Sequence, residues 1–224
     1  MYKASIQDDF SGVGVYNYVY NLDTLDQDIK ANAGYFSNQV FGNIREIKFN
    51  PNQSHSIAES CNAHPLHTDA TFSEVPLERF TLSFRETDPG QGGISTVLPI
   101  SWILDAIPDV YRAALETSHV VYKRKSKMEG DRIYCGPILS WINASRPIFR
   151  WRYDDKVIPV AVDAKGLPIQ DAIQWVKRFI EETPPLTYPA QKGDTLLIDN
   201  GKVLHGRTKL SPFSSRVAYR AWLS

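Results

Sequence analysis

The sequence predicts a mainly β fold with flanking helices, and three observations point there. Short segments of alternating polar and apolar residues recur along the chain. Strong turn-formers separate them, and only two stretches carry helical periodicity. EIKFN at 46–50 alternates in this way, as does FTLSF at 80–84, the pattern of half-buried strands. Asp88-Pro89-Gly90-Gln91-Gly92-Gly93 is a turn, and a strand is expected after it over 94–98. The aromatic-rich stretch 147–153 reads as a further strand. Gln191-Lys192-Gly193-Asp194 is a turn feeding a strand over 195–199, and 216–223 reads as the last strand.

The first helical stretch, 102–114, has apolar residues at helical spacing and is interrupted by Pro108. The second, 168–182, places Ile169, Ile173, Trp175, Val176, Phe179 and Ile180 largely on one face, and Pro184-Pro185 ends it. Helices beside a β-rich body suggest a barrel or sandwich braced on one side. No linker-like cluster, repeat or low-complexity tract divides the 224 residues, so a single domain over 1–224 is expected.

Lys+Arg and Asp+Glu each number 25, giving a formal charge of zero. That balance argues against nucleic-acid or membrane-surface partners, which favour a basic excess. Cys61 and Cys135 stand apart with no CxxC spacing, so neither a disulfide framework nor a cysteine zinc site is expected and a reducing compartment fits. The first twenty residues show no basic-then-apolar leader, and no stretch reaches the length of a membrane span, so the expected location is the cytoplasm.

The residues that carry chemistry begin at His64-Pro65-Leu66-His67-Thr68-Asp69. His67 and Asp69, two apart on a strand, share a face and can occupy adjacent positions on one metal. By itself a His-x-Asp triplet is as readily a surface hydrogen-bonded pair. A third ligand is needed, and His55, His64, His119 and His205 are the candidates. His205 follows an apolar strand and a turn at Gly201, so a rolled sheet brings it beside the first pair. Two histidines and a carboxylate on one face of an iron leave the opposite face open. Arg216 and Arg220 then follow, four apart and sharing a strand face with Ala218 and Trp222. An inward arginine in a barrel needs a buried anion, which a dicarboxylate supplies. Spacing alone is equally compatible with two arginines on a solvated strand face.

Taken in order, HTD at 67–69, GGIST at 92–96, GDTLLIDNGKVLHGR at 193–207 and SRVAYRAWL at 215–223 resemble the taurine dioxygenase / clavaminate synthase-like (TauD/TfdA) family of Fe(II)/2-oxoglutarate oxygenases. The resemblance runs from His64 to the C-terminus. It implies a double-stranded β-helix, or jelly roll, with iron held by His67, Asp69 and His205. It implies further that Arg216 binds the C5 carboxylate of 2-oxoglutarate and that Arg220 lies near its C1 carboxylate. The family's Thr after a Gly-Gly pair falls on Ser95 here, with Thr96 next to it. Ser95 is in register, whereas Thr96 faces the other way on a regular strand.

The activity so implied uses Fe(II), 2-oxoglutarate and O2, forms succinate and CO2, and oxidises a C–H bond, most simply by hydroxylation. Related halogenases carry a small residue in place of the carboxylate, so Asp69 argues against halogenation. Desaturation, ring closure and epimerisation stay open. For substrate contacts, Asn62 and His64 precede the triplet, and Arg152 and Asp154 fall in the RWRYDD stretch at 150–155 where relatives often touch substrate. Strand capping and simple solvation are the competing roles. The polar stretch 123–131 suits a lid or an exposed loop. By family analogy the substrate is a small amino-acid-like or carboxylate-bearing molecule, and the compact chain suggests a mouth open to one tethered to a carrier protein. Two other readings compete. A cupin-like metal isomerase or hydrolase using zinc or manganese leaves the paired arginines unexplained, and a non-catalytic jelly-roll binding protein leaves the intact ligand set unexplained. No oligomeric state follows from the sequence.

Overall fold

The computed structural model describes residues 15–19, 40–50, 57–74, 76, 78–124, 132–144, 146–155 and 157–223. Two antiparallel sheets face one another and carry the site between them. The larger has the order β1 (Val15–Val19), β12 (Asp194–Asp199), β4 (Arg79–Glu86), β14 (Val217–Leu223) and β2 (Val40–Lys48). The smaller has the order β11 (Leu186–Tyr188), β5 (Ser95–Pro99), β13 (Val203–Arg207) and β3 (His64–His67). Neighbours distant in sequence pair throughout, as when β12 lies between β1 and β4. This interleaving of two sheets is the double-stranded β-helix that the motifs imply.

The alternation that predicts these strands is what fills the space between them. Phe80 and Phe84 of β4, Leu196 and Ile198 of β12 and Ala218 of β14 meet Val97, Val203 and Tyr188 of the smaller sheet in one buried cluster. A second cluster lies against the helices. The stretch 102–114 forms two helices rather than one, α1 (Ile100–Ala106) and α2 (Asp109–Thr117), because Pro108 lacks the amide to continue the first. α3 (Ile169–Glu182) buries Ile169, Ala172, Ile173 and Val176, while Trp175 and Phe179 stack at 5.2 Å on its half-buried flank. β6 (His119–Arg124), β7 (Arg132–Gly136) and β10 (Val160–Asp163) form a three-stranded sheet, and β8 (Leu139–Asn143) pairs with β9 (Arg146–Phe149). Among the described residues no helix is long and apolar enough to cross a membrane.

Several expected strands shift, among them the last, which begins at Val217 and leaves Arg216 just before it rather than on a strand face with Arg220. The first ends at Lys48, so Phe49 and Asn50 lie outside it, and the strand expected over 94–98 runs from Ser95 to Pro99. The strand expected over 147–153 stops at Phe149 because the backbone beyond it bonds elsewhere. The Arg150 amide donates to Ile138 O, and the Trp151 amide donates to the Thr68 hydroxyl. Of the stretch 123–131, the first two residues close β6 and the rest lies outside the described residues.

Candidate metal and co-substrate site

His67 and His205 are direct cross-strand partners on β3 and β13, which places their rings side by side at 4.3 Å. Asp69 follows where β3 ends. One donor atom from each of the three lies within 4.8 Å of the others, and all three side chains are buried. His67 Nε2 is 3.4 Å from Asp69 Oδ1, and His205 Nε2 is 3.9 Å from Asp69 Oδ2. Adjacent positions on a metal with bonds of about 2.1 Å lie roughly 3 Å apart, so the donor set needs only a small contraction to meet on one ion.

The tautomers and charges suit the same role. His67 Nδ1 lies 2.9 Å from Pro65 O, so that nitrogen carries a proton and Nε2 is the atom turned toward Asp69. Burial, with His67 beside it, pulls the His205 imidazole down to about 3, so it is neutral and able to ligate. Burial opposes the charge on Asp69. The Arg220 guanidinium, His67 and His205 outweigh that and hold its carboxyl well below the usual carboxylate range. Asn200, in the β12–β13 turn, clamps the Asp69 backbone from both sides. The Asp69 amide donates to Asn200 Oδ1 at 2.8 Å, and Asn200 Nδ2 donates to Asp69 O at 3.0 Å. Thr68 ties the same segment to Trp151, its amide donating to Trp151 O at 2.9 Å. Ala70 adopts a left-handed φ of 57°, and the Thr71 hydroxyl donates back to Thr68 O at 2.8 Å.

The triad opens into a cleft with about 470 Å³ of empty space, open solvent at its mouth included. Arg207, Arg216, Arg220, Ser95 and His64 all line it. Arg216 lies at the end of the loop that leads into β14 and is 6% exposed, with its guanidinium 5.1 Å over the Phe84 ring. Its Nε is buried with no hydrogen-bond partner among the described residues. Burial, then the charge of Arg207, depresses its pKa to about 10. An arginine so placed is suited to an anion. Gly93 makes room for it, since a Cβ there would lie 3.1 Å from Arg216 Cδ.

Arg220 donates to Asp69 Oδ2 at 3.2 Å and lies 4.4 Å over the Trp222 ring, while its Nε is buried without a partner among the described residues. Ser95 pairs with Arg207 across β5 and β13 and faces the cleft. Thr96 pairs with Gly206 and puts its hydroxyl over that glycine, on the other face.

The four candidate substrate residues separate. His64 stacks on His67 at 4.0 Å because β3 carries a register irregularity between the His67 and His64 pairings, which turns both rings inward. Its Nε2 is buried without a partner among the described residues, and burial holds its pKa well below the ordinary imidazole value. Arg152 is ion-paired to Asp154 at 2.7 Å, and its charge is felt at both His64 and His205. Asp154 Oδ1 also accepts from the Val157 amide. The Asn62 side chain is exposed, and its carbonyl accepts from Arg207. Of the other two histidine candidates, His119 lies on β6 away from the cleft and His55 lies outside the described residues.

Two residues at the site escape the sequence reading. Arg207 is buried and donates to Asn62 O at 2.7 Å and Ser60 O at 2.6 Å, pinning the segment before β3. Asn200 is the other. Both sit in the quoted run GDTLLIDNGKVLHGR, flanking His205, which was the available signal.

Comparison with known proteins agrees with this geometry. The chain is 25% identical over 190 residues to the 3-((Z)-2-isocyanoethenyl)-1H-indole synthase of Fischerella ambigua (strain UTEX 1903), covering 78% of this chain and 67% of that protein. It superposes on an asparagine oxygenase in complex with Fe(II), 2S,3S-3-hydroxyasparagine and succinate, with a TM-score of 0.64 and 16% identity over 80% of this chain and 56% of that one. It also superposes on the non-heme iron oxygenase OrfP in complex with Fe and alpha-ketoglutaric acid, with a TM-score of 0.66 and 15% identity over 88% of this chain and 63% of that one. At these identities the two structures establish the shared fold, and the chain spans little more than half the length of the asparagine oxygenase. The family match covers residues 27–222, reaching well upstream of the His64 at which the motifs begin. Spanning most of its length, that match shows that the chain belongs to the taurine catabolism dioxygenase TauD/TfdA family of iron- and 2-oxoglutarate-dependent oxygenases.

Proposed function

We propose that this chain is, as one oxygenase domain, an Fe(II)- and 2-oxoglutarate-dependent dioxygenase. It oxidises, most simply by hydroxylation, an unactivated C–H bond of a small amino-acid-like or carboxylate-bearing molecule, free or carrier-tethered, with succinate and CO2 as co-products. The observation that carries the reading is the pairing of two features in one cleft. A buried His67–Asp69–His205 donor set faces its interior, and a buried cation, Arg216, lines it with its Nε unpartnered among the described residues.

In this reading His67, Asp69 and His205 hold the iron. Arg216 grips the distal carboxylate of 2-oxoglutarate with the Ser95 hydroxyl beside it, and guanidinium suits this because it donates two parallel hydrogen bonds. Arg220 keeps Asp69 ionised and oriented, and its unpartnered Nε is available to the C1 carboxylate. Bound iron and 2-oxoglutarate together supply the oxidising chemistry, and the chain's task is to hold, orient and exclude water. His64 and Arg152 border the substrate side, with Asp154 steadying Arg152. Thr96 and Asn62 take no direct part through their side chains. Cys61 and Cys135 are free thiols, which suits a reducing compartment and the cytoplasm.

The test is anaerobic addition of Fe(II) and then 2-oxoglutarate, following the weak charge-transfer absorption of a keto acid chelated to Fe(II), in the region of roughly 500–530 nm. The band is expected in wild type. It should be absent in His205→Ala and absent at modest 2-oxoglutarate in Arg216→Ala. A wild-type protein that binds iron yet shows no band at saturating 2-oxoglutarate refutes the reading.

A further inference from the structure

The anion end of the cleft is assembled from two loops that are remote in sequence. Residues 88–94 lead into β5 and bring Ser95, while residues 208–216 lead into β14 and bring Arg216. Asp88, buried and part of neither strand, joins them. Its Oδ2 accepts from the Gly92 amide at 3.0 Å within its own loop and from the Ser211 amide at 2.8 Å in the other. Its Oδ1 accepts from the Ser211 hydroxyl and from the Gly90 amide at 3.4 Å. An aspartate closing its own turn onto Gly90 and Gly92 is ordinary turn chemistry. The two bonds to Ser211 are not, since they span 123 positions and nothing about the turn requires them.

The loops are also in backbone contact where Asp88 holds them. Gly93 N donates to Lys209 O at 3.1 Å, and Thr208 N donates to Ile94 O at 2.9 Å. A Cβ on Gly92 would collide with Lys209 O, and one on Gly93 would reach 2.5 Å from Leu210 Cδ2. The separation of the two loops is therefore at its minimum, and Arg216 and Ser95 ride on it.

We propose that Asp88 is a positioning residue: by stapling the 88–94 loop to the 208–216 loop it sets the distance from the metal end of the cleft to Arg216, and so selects the length of dicarboxylic oxo acid that the cleft accepts. This rests on the reading of Arg216 as the anchor for the distal carboxylate. Asp88 touches neither the iron ligands nor the arginine. Its carboxylate also partly offsets the charges of Arg207 and Arg216 at longer range. That second effect acts on any dianion alike, whereas the staple acts on chain length.

The experiment is anaerobic calorimetry on the Fe(II)-loaded full chain with 2-oxoglutarate and with 2-oxoadipate, which is one methylene longer. Wild type, Asp88→Asn, Gly92→Ala and Ser211→Ala are compared. Wild type should prefer 2-oxoglutarate by roughly 10–100-fold, the usual worth of one methylene in a fitted pocket. Asp88→Asn removes the charge and one of the two acceptor oxygens that make the staple, whereas Gly92→Ala wedges the loops apart with the charge intact. Both are expected to cut the preference at least about tenfold, or about 1.4 kcal/mol. Equal weakening for both oxo acids, or an unchanged ratio, overturns the proposal. Ser211→Ala deletes one side-chain bond and leaves the backbone donor, so it carries the same test should either of the others not fold. A wild type that binds neither oxo acid sinks the oxygenase reading and the staple together, an outcome distinct from normal wild-type binding with an unmoved ratio.

Discussion

Replacing Arg216 by methionine should make the ligand-free protein more stable while removing its response to 2-oxoglutarate. The charge is buried, and burial pulls the guanidinium pKa down from its ordinary value to about 10. A displacement of that size corresponds to about 3 kcal/mol against the charged form in the folded state. Methionine keeps most of the stem's packing but forfeits the cation above Phe84, an interaction of roughly 0.5–2 kcal/mol. The net gain is therefore about 1–2 kcal/mol, or roughly 2–8 °C in Tm for a chain of this size. Wild type should instead gain about 3 kcal/mol at 2-oxoglutarate a hundredfold above its Kd, and the variant nothing. The sign with pH follows from the same displacement. Below about pH 10 the arginine is charged in both states and the penalty is full. As pH rises from there toward the ordinary guanidinium value the folded state releases its proton first, so the penalty fades and the advantage of the variant narrows. Thermal and urea unfolding with and without 2-oxoglutarate, in the presence of Fe(II), measure all three. A ligand-free variant less stable than wild type by 1 kcal/mol or more would mean that the buried cation is compensated locally, and the anion-site argument would fail.

Asn200→Ala removes both clamps on the Asp69 backbone and should weaken Mn(II) or Fe(II) affinity by roughly 10–100-fold. Metal titration by calorimetry decides it, and an unchanged affinity would show that the strand pairing of His67 suffices. Arg207→Met should leave metal affinity within a few-fold but release the carbonyls of Ser60 and Asn62. Amide exchange around residues 57–62 is expected to accelerate, and equal protection in the variant would refute that role.

How far the site was legible depends on how far each residue's partner lies along the chain. The His67–Asp69 pair is read locally because residues two apart at the end of a strand can bring both side chains to one metal position, and β3 does end at His67 with Asp69 just past it. His205 and Arg216 are recognisable through a run of motif residues around them. Ser95 over Thr96 follows from strand parity, and the cross-strand pairing with Arg207 agrees with it. His64 defeats parity. Three positions from His67 it should face away, and it faces in because of the irregularity in β3, for which Pro65-Leu66 gives no clear signal. Asn200 and Asp88 read as turn residues, which they are. Their second partners lie 131 and 123 positions away, and no local pattern encodes that. Arg150 ends the expected strand for the same reason, since its guanidinium caps Glu74 O at 2.6 Å and its amide seeks Ile138.

The charges around the cleft bear on the order in which it fills. Arg207, Arg216 and Arg220 face Asp69 and Asp88, leaving one positive charge in excess before any metal arrives. A divalent cation raises that excess, so metal and dianion should each assist the other, and linkage requires the two factors to be equal. Part of that coupling for 2-oxoglutarate is direct chelation. Succinate lacks the keto group and isolates the electrostatic part, which in a partly buried site at a separation of about 6 Å is on the order of a few kcal/mol before screening. Saturating succinate should therefore tighten Mn(II) binding several-fold at low salt, less so at 0.5 M, and not at all in Arg216→Met. Tightening that survives in Arg216→Met would place the anion elsewhere in the cleft. If succinate failed to tighten Mn(II) binding in wild type, the excess charge would have to be neutralised by groups other than the ligand, and Arg216 would lose its claim to be an anion site.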